Sequence, residues 1–399
     1  MKFLVVGVGA QGSTIATQLV KNPDVSEVRL ADISLERAKQ FANSLKSGKV
    51  SMHRVDAGNV DEILKVAKGV DVVINATLPR FNLNIMNVAL KSRSHYIDLA
   101  TNVPVYESIM KELALSDKFK RVGLTAVINQ GGPFVMNVLV RYAADRLDQV
   151  DEISLRFGWQ SELIALEKTE EVVPTWAPFW CPEIALLEWV NEPLIYKNGK
   201  LEKVPPFSGI EEYNFPDLGA VTVCWVEYEP VVTLPRFIGK GVRYVDCKIP
   251  PDIMAGALIK MGFASDKPIN VKGVKVAPRD VLLALTPPAV KVVEEMEARE
   301  IPSRPACFLT EVSGEKAGEK IFYTLYLTLN MREIYKKFGK MNAFIGVPVE
   351  VTATMLARGE VKAKGVIPPE GLEPEPFLAK LAAKGITFKE KVTKEMRVI

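Results

Sequence analysis

Residues 3–12 of the chain read Phe3-Leu4-Val5-Val6-Gly7-Val8-Gly9-Ala10-Gln11-Gly12, and this stretch decides the fold. Its four leading apolar residues predict a buried strand, and the G-x-G-x-x-G pattern after them is typical of a tight turn that opens a helix. Asp32 ends the next predicted strand, at the spacing from the glycines that a dinucleotide-binding site needs. The strand, turn, helix and acid together predict such a site.

Each part of the turn has a physical role in that site. Gly7 allows the tight turn, Gly9 lets the backbone approach a diphosphate, and Gly12 allows close packing of helix on strand. Ala10 and Gln11 open the helix, whose unpaired N–H groups and dipole favour an anion. We therefore predict that the cofactor's diphosphate binds at residues 7–12.

Strands and helices alternate through the first third of the chain. The predicted strands are Lys2–Gly7, Glu27–Asp32, Val50–Val55, Val70–Asn75, Tyr96–Leu99 and Arg121–Ile128. This alternation predicts an α/β fold class, with a Rossmann doubly wound parallel sheet over residues 1–130. Ligands of such sheets bind at the carboxyl ends of the strands.

The pattern changes after residue 130. Strand signals such as Asp151–Phe157 and Lys320–Leu329, with a long predicted helix over Arg279–Arg299, indicate an α+β substrate-binding domain over residues 131–340. Residues 341–399 contain two predicted helices. We expect them to form a C-terminal helical segment that packs back on the other domains.

Composition narrows the function classes. The net charge is only +3 and no basic block is present, so we expect neither a nucleic-acid nor a membrane partner. A strand at the N-terminus and the lack of a long apolar run favour a cytoplasmic protein. The sequence has four dispersed cysteines and two histidines, which are few candidates for coordinating a metal ion, so no metal site is expected.

Polar residues follow the ends of the predicted strands. Asp32 is expected to bind the adenosine ribose, which favours NAD over NADP, although nearby Arg37 keeps NADP possible. The remaining predicted cofactor-binding residues lie after strands three, four and five: Asp56, Ala57, Asn75, Ala76, Thr77, Leu78 and Thr101.

Candidate substrate residues lie where the nicotinamide is expected. Asp98 is the candidate for moving a proton, with capping of its loop as the open alternative. Arg236 stands in a Pro-flanked segment predicted to be a loop, where it is a candidate fork for a substrate carboxylate or a partner in a structural ion pair. The predicted substrate-binding residues are Asn102, Gln130, Gly131 and Arg236.

Several phrases resemble one known family. The glycine turn, Asp56-Ala57, His95-Tyr96-Ile97-Asp98-Leu99, Gly131-Gly132-Pro133 and the GVIPPE stretch at 365–370 are similar to the saccharopine dehydrogenase-like oxidoreductases, especially those of the lysine 6-dehydrogenase or saccharopine reductase type. The resemblance implies an NAD(P)-dependent homodimer, joined through its middle domain, that acts on a C–N bond of an amino acid or polyamine. The crossover departs from the family's second glycine, because Phe134 stands there.

The leading hypothesis is thus an oxidoreductase acting on the amine or imine carbon of a small-molecule amino acid or amine. Two alternatives stay open. One is a non-catalytic, regulatory NAD-binding protein. The other is an NAD-dependent transferase like the homospermidine synthases, which would form a C–N bond without a net change in NADH.

Overall fold

The first part of the chain alternates strictly between strands and helices. The computed structural model describes residues 1–132, 134–159, 176–299, 301, 303 and 305–395. Strands β1–β6 are Lys2–Val6, Glu27–Asp32, Val50–Arg54, Val72–Asn75, His95–Asp98 and Thr125–Val127. Helices α1–α6 are Ala10–Lys21, Leu35–Leu45, Val60–Ala67, Asn82–Ser92, Val105–Leu113 and Ser116–Arg121.

The second part is richer in strands. Its helices α7–α15 are Phe134–Ala144, Pro182–Leu187, Pro230–Ile238, Ile253–Lys260, Pro278–Leu285, Ala289–Ala298, Met331–Phe338, Ala343–Ala357 and Pro374–Ala383. Its strands β7–β18 are Gln149–Trp159, Leu194–Lys197, Lys200–Lys203, Glu211–Phe215, Gly219–Trp225, Tyr244–Ile249, Ile269–Val271, Val274–Val276, Pro305–Lys316, Glu319–Asn330, Gly365–Ile367 and Lys389–Glu395.

The first sheet is parallel, and its described strands have the order β17-β6-β5-β4-β1-β2-β3. Apolar cores lie on both of its faces; one includes α1, α2 and α14, and the other includes α3 and α4. This confirms the predicted doubly wound Rossmann sheet. The strand order reverses beside β1, where β4 and β2 flank it, and a ligand crevice is expected at the carboxyl ends there.

The second sheet is mixed and confirms the predicted α+β part. Its main path among the described residues is β10-β11-β12-β7-β15-β16-β18, with β8 and β9 attached at β12. The pair β12–β7 is parallel, whereas the long β7–β15–β16 path is antiparallel. An apolar core that includes α7 and α9 covers one face.

The end of the chain differs from the helical segment that was predicted. Strand β17 joins the first sheet beside β6, and β18 joins the second sheet beside β16. β18 is exposed along its whole length and reads KEKVTKE, so its sequence carries no hydrophobic period that predicts a strand. The predicted helix Arg279–Arg299 is also two helices, because Pro287 and Pro288 interrupt it.

Candidate active site

A cleft of about 1060 Å³ opens at the carboxyl ends of the first sheet. One wall comes from the loops after β1, β2, β3, β4 and β5. The opposite wall comes from the second part, including residues around α8, the start of α9 and α10, and also from the start of α14. A cleft of this size between two parts of a chain is a typical site for a cofactor with its substrate.

The glycine turn has the shape of a diphosphate cradle. Gly7 has a φ of +93°, and a Cβ on Gly12 would lie 1.8 Å from the Gly7 carbonyl oxygen, so both positions need glycine. A Cβ on Gly9 would meet no atom within 4 Å, because this residue faces the open cleft. Ala10 and Gln11 also line the cleft at the start of α1, where no side chain caps the helix. The cradle therefore fits the diphosphate of a dinucleotide.

The adenosine half of the predicted site is assembled on the same wall. Asp32 is 5% exposed, and its two carboxylate oxygens accept hydrogen bonds from the Val8 and Ser34 amides, each at 2.8 Å. Each oxygen keeps a lone pair that can accept a ribose hydroxyl. Arg37 Nη1 lies 3.6 Å from Asp32 Oδ1. Asp56 and Ala57 line the cleft next to them.

The loop after β4 lines the cleft where the second ribose and the nicotinamide are predicted to bind. Asn75 Oδ1 accepts hydrogen bonds from Thr77 N at 3.0 Å and Thr77 Oγ1 at 2.6 Å. The Asn75 amide donates to Asn82 Oδ1 at 2.8 Å, and this bond ties the loop to the start of α4. Asn75, Ala76, Thr77 and Leu78 all line the cleft, as does Gly131.

Asp98 does not line the cleft, among the residues that the structure describes. It is 1% exposed, and its Oδ1 accepts a hydrogen bond from Asn129 N at 2.7 Å. Burial, and then the nearby Glu112, raise the pKa of Asp98 well above its usual range. This geometry favours the alternative role for Asp98, which is to hold the loop at residue 129, and proton transfer by Asp98 stays a prediction.

Three further candidates lie outside the described lining of the cleft. Thr101 is buried and its hydroxyl donates to Glu112 Oε1 at 3.3 Å. Gln130 is buried and donates to Thr352 Oγ1. Asn102 is half-buried in the loop before α5. Pro133 and the Phe134 side chain of the crossover lie outside the described residues.

Arg236 does not lie in the loop that the sequence predicted. It lies on α9 instead of a loop, its side chain is exposed, and its guanidinium contacts Met110 Sδ at 3.6 Å. It is not part of the described cleft lining. A helix was not expected because Pro235 breaks the pattern, yet α9 tolerates this proline one residue before Arg236.

Two glutamates that the sequence hypothesis missed line the cleft instead. Glu188 follows α8 and is 6% exposed, and Glu229 precedes α9 and accepts a hydrogen bond from Thr101 N at 3.2 Å. Burial raises the pKa of Glu188 well above its usual range, and Glu229 and Glu227 add to the rise. Burial also raises the pKa of Glu229. The Glu229-Pro230 pair, with proline at the first helical position, was the available signal for this helix start.

Aromatic side chains line the same cleft as these acids. Those that line the cleft include Trp159, Trp176, Trp180, Trp189, Tyr228, Phe308 and Phe344. Trp176 Nε1 donates to Asp252 Oδ2 at 3.0 Å, so it is oriented by a third acid of the same wall. Within the described residues, the second part contributes no lysine or arginine to the lining. Acids in an apolar, weakly screened wall suit a cation.

Two further searches cover only the described stretches of the chain. They contain no group of three or more histidine, cysteine, aspartate or glutamate side chains arranged to hold a metal ion. They also contain no helix with the length and apolar character needed to cross a bilayer.

Comparisons with known proteins identify the family of the chain. The chain matches the saccharopine dehydrogenase NADP binding domain over residues 3–127 and the saccharopine dehydrogenase C-terminal domain over residues 135–386. It is 25% identical over 421 residues to a carboxynorspermidine synthase of Vibrio cholerae, covering 97% of this chain and 96% of that protein. It is also 25% identical over 406 residues to a carboxyaminopropylagmatine dehydrogenase of Synechocystis, covering 98% of each.

Two solved structures share the fold. Saccharopine dehydrogenase (L-Glu forming) of Saccharomyces cerevisiae has a TM-score of 0.68 at 19% identity, covering 98% of this chain and 99% of that one. Homospermidine synthase of Legionella pneumophila, in complex with NAD, has a TM-score of 0.67 at 14% identity, covering 99% and 91%. At these identities the likeness shows the fold alone. Because the two family models together span most of the chain, it belongs to the NAD(P)-dependent saccharopine dehydrogenase family.

Proposed function

We propose that this protein is an oxidoreductase that uses NAD(P) to act on a C–N bond of a cationic amine. The observation that carries the proposal is the pair Glu188 and Glu229, which faces the cofactor half of the cleft from an aromatic wall. The names of two relatives, carboxynorspermidine synthase and carboxyaminopropylagmatine dehydrogenase, support a polyamine-like substrate more than lysine itself.

The charge of the wall selects the substrate class. Glu188, Glu229 and Asp252 supply three carboxylates, and no cation faces them from the described residues of the second part. An ammonium group placed there gains charge-assisted hydrogen bonds, whereas a carboxylate would be repelled. The aromatic faces add attraction for the same cation and cover its methylene groups.

Bound NAD(P) supplies the exchange of a hydride with the carbon that carries the nitrogen. The chain's own residues orient the amine and handle its protons. Glu188 and Glu229 have raised pKa values when the cleft holds no cation, because burial disfavours their charged forms. An arriving ammonium favours their charged forms, so amine binding should release protons. Either carboxylate can then accept a proton from the nitrogen as the C–N bond is oxidised.

The coenzyme preference is the finer part of the proposal. Asp32 lines the cleft at the end of β2, and a carboxylate at this point would accept the ribose hydroxyls and favour NAD over NADP. Arg37, 3.6 Å from that carboxylate and 45% exposed, is the group that would admit a 2′-phosphate.

The test is a panel of polyamines, carboxylated polyamines, lysine, and neutral and acidic amino acids, each assayed with NAD and NADP through the absorbance of the reduced coenzyme. Glu188→Gln and Glu229→Gln should each raise KM for the best cationic amine about tenfold or more, because each removes one charged partner. The Kd for the coenzyme should not change. Glu183→Gln on α8 is the matched control, since Glu183 pairs with Arg80 at 3.6 Å instead of lining the cleft.

Other outcomes of these assays would contradict the proposal or favour one of the alternatives. Activity confined to neutral or acidic amino acids, or unchanged KM in both variants, would contradict the cationic-amine proposal. Coenzyme binding with no turnover across the panel would favour a regulatory protein. A new C–N bond without net NADH change would favour the transferase alternative.

A further inference from the structure

The N-terminus of α14 opens on the same cleft as the N-terminus of α1. Asn342, the residue before α14, is fully buried and lines the cleft together with Phe344 and Ile345. Neither its amide nitrogen nor its amide oxygen has a hydrogen-bond partner. A buried amide without partners is costly in a folded protein, so its presence at a ligand cleft points to a partner that the chain does not supply.

The packing of the two helices brings their N-termini together. Gly346, early in α14, lies against Thr14 of α1, where an added Cβ would be 2.7 Å from Thr14 Cγ2. At the other end of α1, the amide of Asn22, the residue after the helix, donates to Glu350 Oε1 of α14 at 2.6 Å. Contacts that advance in the same direction on both helices show that the helices run parallel. Their N-terminal ends are therefore neighbours.

A shared apolar cluster also places Asn342 near the start of α1. The residue before it, Met341, is fully buried in a small apolar cluster that also contains Ala10, the first residue of α1. Ala10 directly follows Gly9, which faces the open cleft. Asn342 therefore lies near the edge of the diphosphate cradle, although it is more than three hundred residues from Gly9 in the sequence.

Asn342 does not perform the usual role of an asparagine before a helix. Asn59 and Asn330 precede α3 and α13, and each side chain accepts hydrogen bonds from the first turn of its helix. The Asn342 side chain makes no such bond with α14. Its two amide N–H donors have no partner in the described chain, and they lie beside the positive end of a helix of 15 residues.

We propose that Asn342 and the N-terminus of α14 bind the diphosphate of NAD(P) together with the glycine turn of α1. The inference rests on the proposed function, because it takes NAD(P) as the occupant of the cleft. The C-terminal part of the chain then supplies the second side of the anion site. The Asn342 amide donates to a phosphate oxygen that the Gly9 side leaves uncovered.

The test is calorimetric titration of NADH and of ADP-ribose, which has the diphosphate but lacks the nicotinamide. Asn342→Ala should weaken both ligands about fivefold to tenfold, and Asn342→Asp should weaken both at least about a hundredfold, since it sets a charge against the phosphates. The Tm of ligand-free Asn342→Ala should equal or exceed that of the wild type, because the lost amide had no partner. The matched control, Asn330→Ala, should lower Tm and leave both Kd values unchanged.

The outcomes separate this inference from the proposed function. Wild-type protein that binds neither ligand would remove the coenzyme and with it the proposed function. Wild-type binding with unchanged Kd values in Asn342→Ala would overturn only the role of Asn342. Weakened NADH binding with unchanged ADP-ribose binding would also overturn it, since Asn342 would then face the nicotinamide. Asn342→Ala is uncharged and smaller than asparagine, so it keeps the test decisive even where Asn342→Asp does not fold.

Discussion

Gly9 offers a direct test of the cofactor cradle, because the substitution Gly9→Ala adds one methyl group where the structure leaves room only for a ligand. The backbone at Gly9 has φ −85° and ψ −161°, which alanine adopts without strain. The new Cβ meets no protein atom within 4 Å and points into the cleft. We therefore expect an unchanged fold and a displaced diphosphate. Losing one charge-assisted hydrogen bond from the start of α1 costs roughly 2 kcal/mol, or about thirtyfold in Kd.

The assay combines thermal unfolding of the ligand-free protein with calorimetric titration of NADH. Gly12→Ala is the matched control, because its Cβ would lie 1.8 Å from the Gly7 carbonyl oxygen. That clash should destabilise the fold by about 3 kcal/mol and lower Tm. Gly9→Ala should keep the wild-type Tm and lose affinity. NADH binding to Gly9→Ala with the wild-type Kd would refute the assignment of the cradle.

Three other substitutions test separate features. Arg37→Ala should raise the Kd of NADPH about tenfold and leave that of NADH unchanged, because only the former carries a 2′-phosphate; equal changes in paired titrations would contradict the role of Arg37. Burial raises the pKa of Glu112 from 4.5 to about 7. Between these two pH values the native state keeps a proton on Glu112 that the unfolded chain has lost, so the free energy of unfolding falls as the pH rises from 4.5 to about 7. Glu112→Gln should flatten this slope and gain about 3 kcal/mol over wild type at pH 8 in urea unfolding, whereas a parallel pH profile would disprove the buried proton. Arg236→Ala should leave the KM of the amine unchanged in steady-state kinetics, since Arg236 is exposed on α9; an increased KM would return it to the substrate site.

The cofactor half of the site was predictable because its residues are local to strand ends. Gly9 follows β1, and Asp32 and Asn75 end β2 and β4, whose apolar runs are visible in the sequence; parallel strands bring their carboxyl ends to one edge. The same rule failed for Asp98, since the chain turns its side chain under the loop at residue 129. Position at a strand end predicts the neighbourhood of a side chain but not its direction.

The substrate half was not predictable from local pattern. Glu188 and Glu229 lie next to helix ends without a glycine-rich turn to mark them, and the burial that raises their pKa values exists only in the folded chain. Asn342 has the same origin, because its lack of partners exists only in the folded state. Strand β18 was also not predictable, because its exposed, charged sequence has no strand pattern and it becomes a strand only by pairing with β16.

The late return of the chain to the first sheet has a consequence for biosynthesis. Strand β17 closes the edge at β6, and α14 fills one face of the same sheet, yet both are translated after strands β7–β16. A nascent chain would therefore carry an open β6 edge and an uncovered apolar face until the ribosome passes residue 367. For the same reason, an excised fragment of residues 1–130 should aggregate on expression unless residues 343–367 are supplied with it.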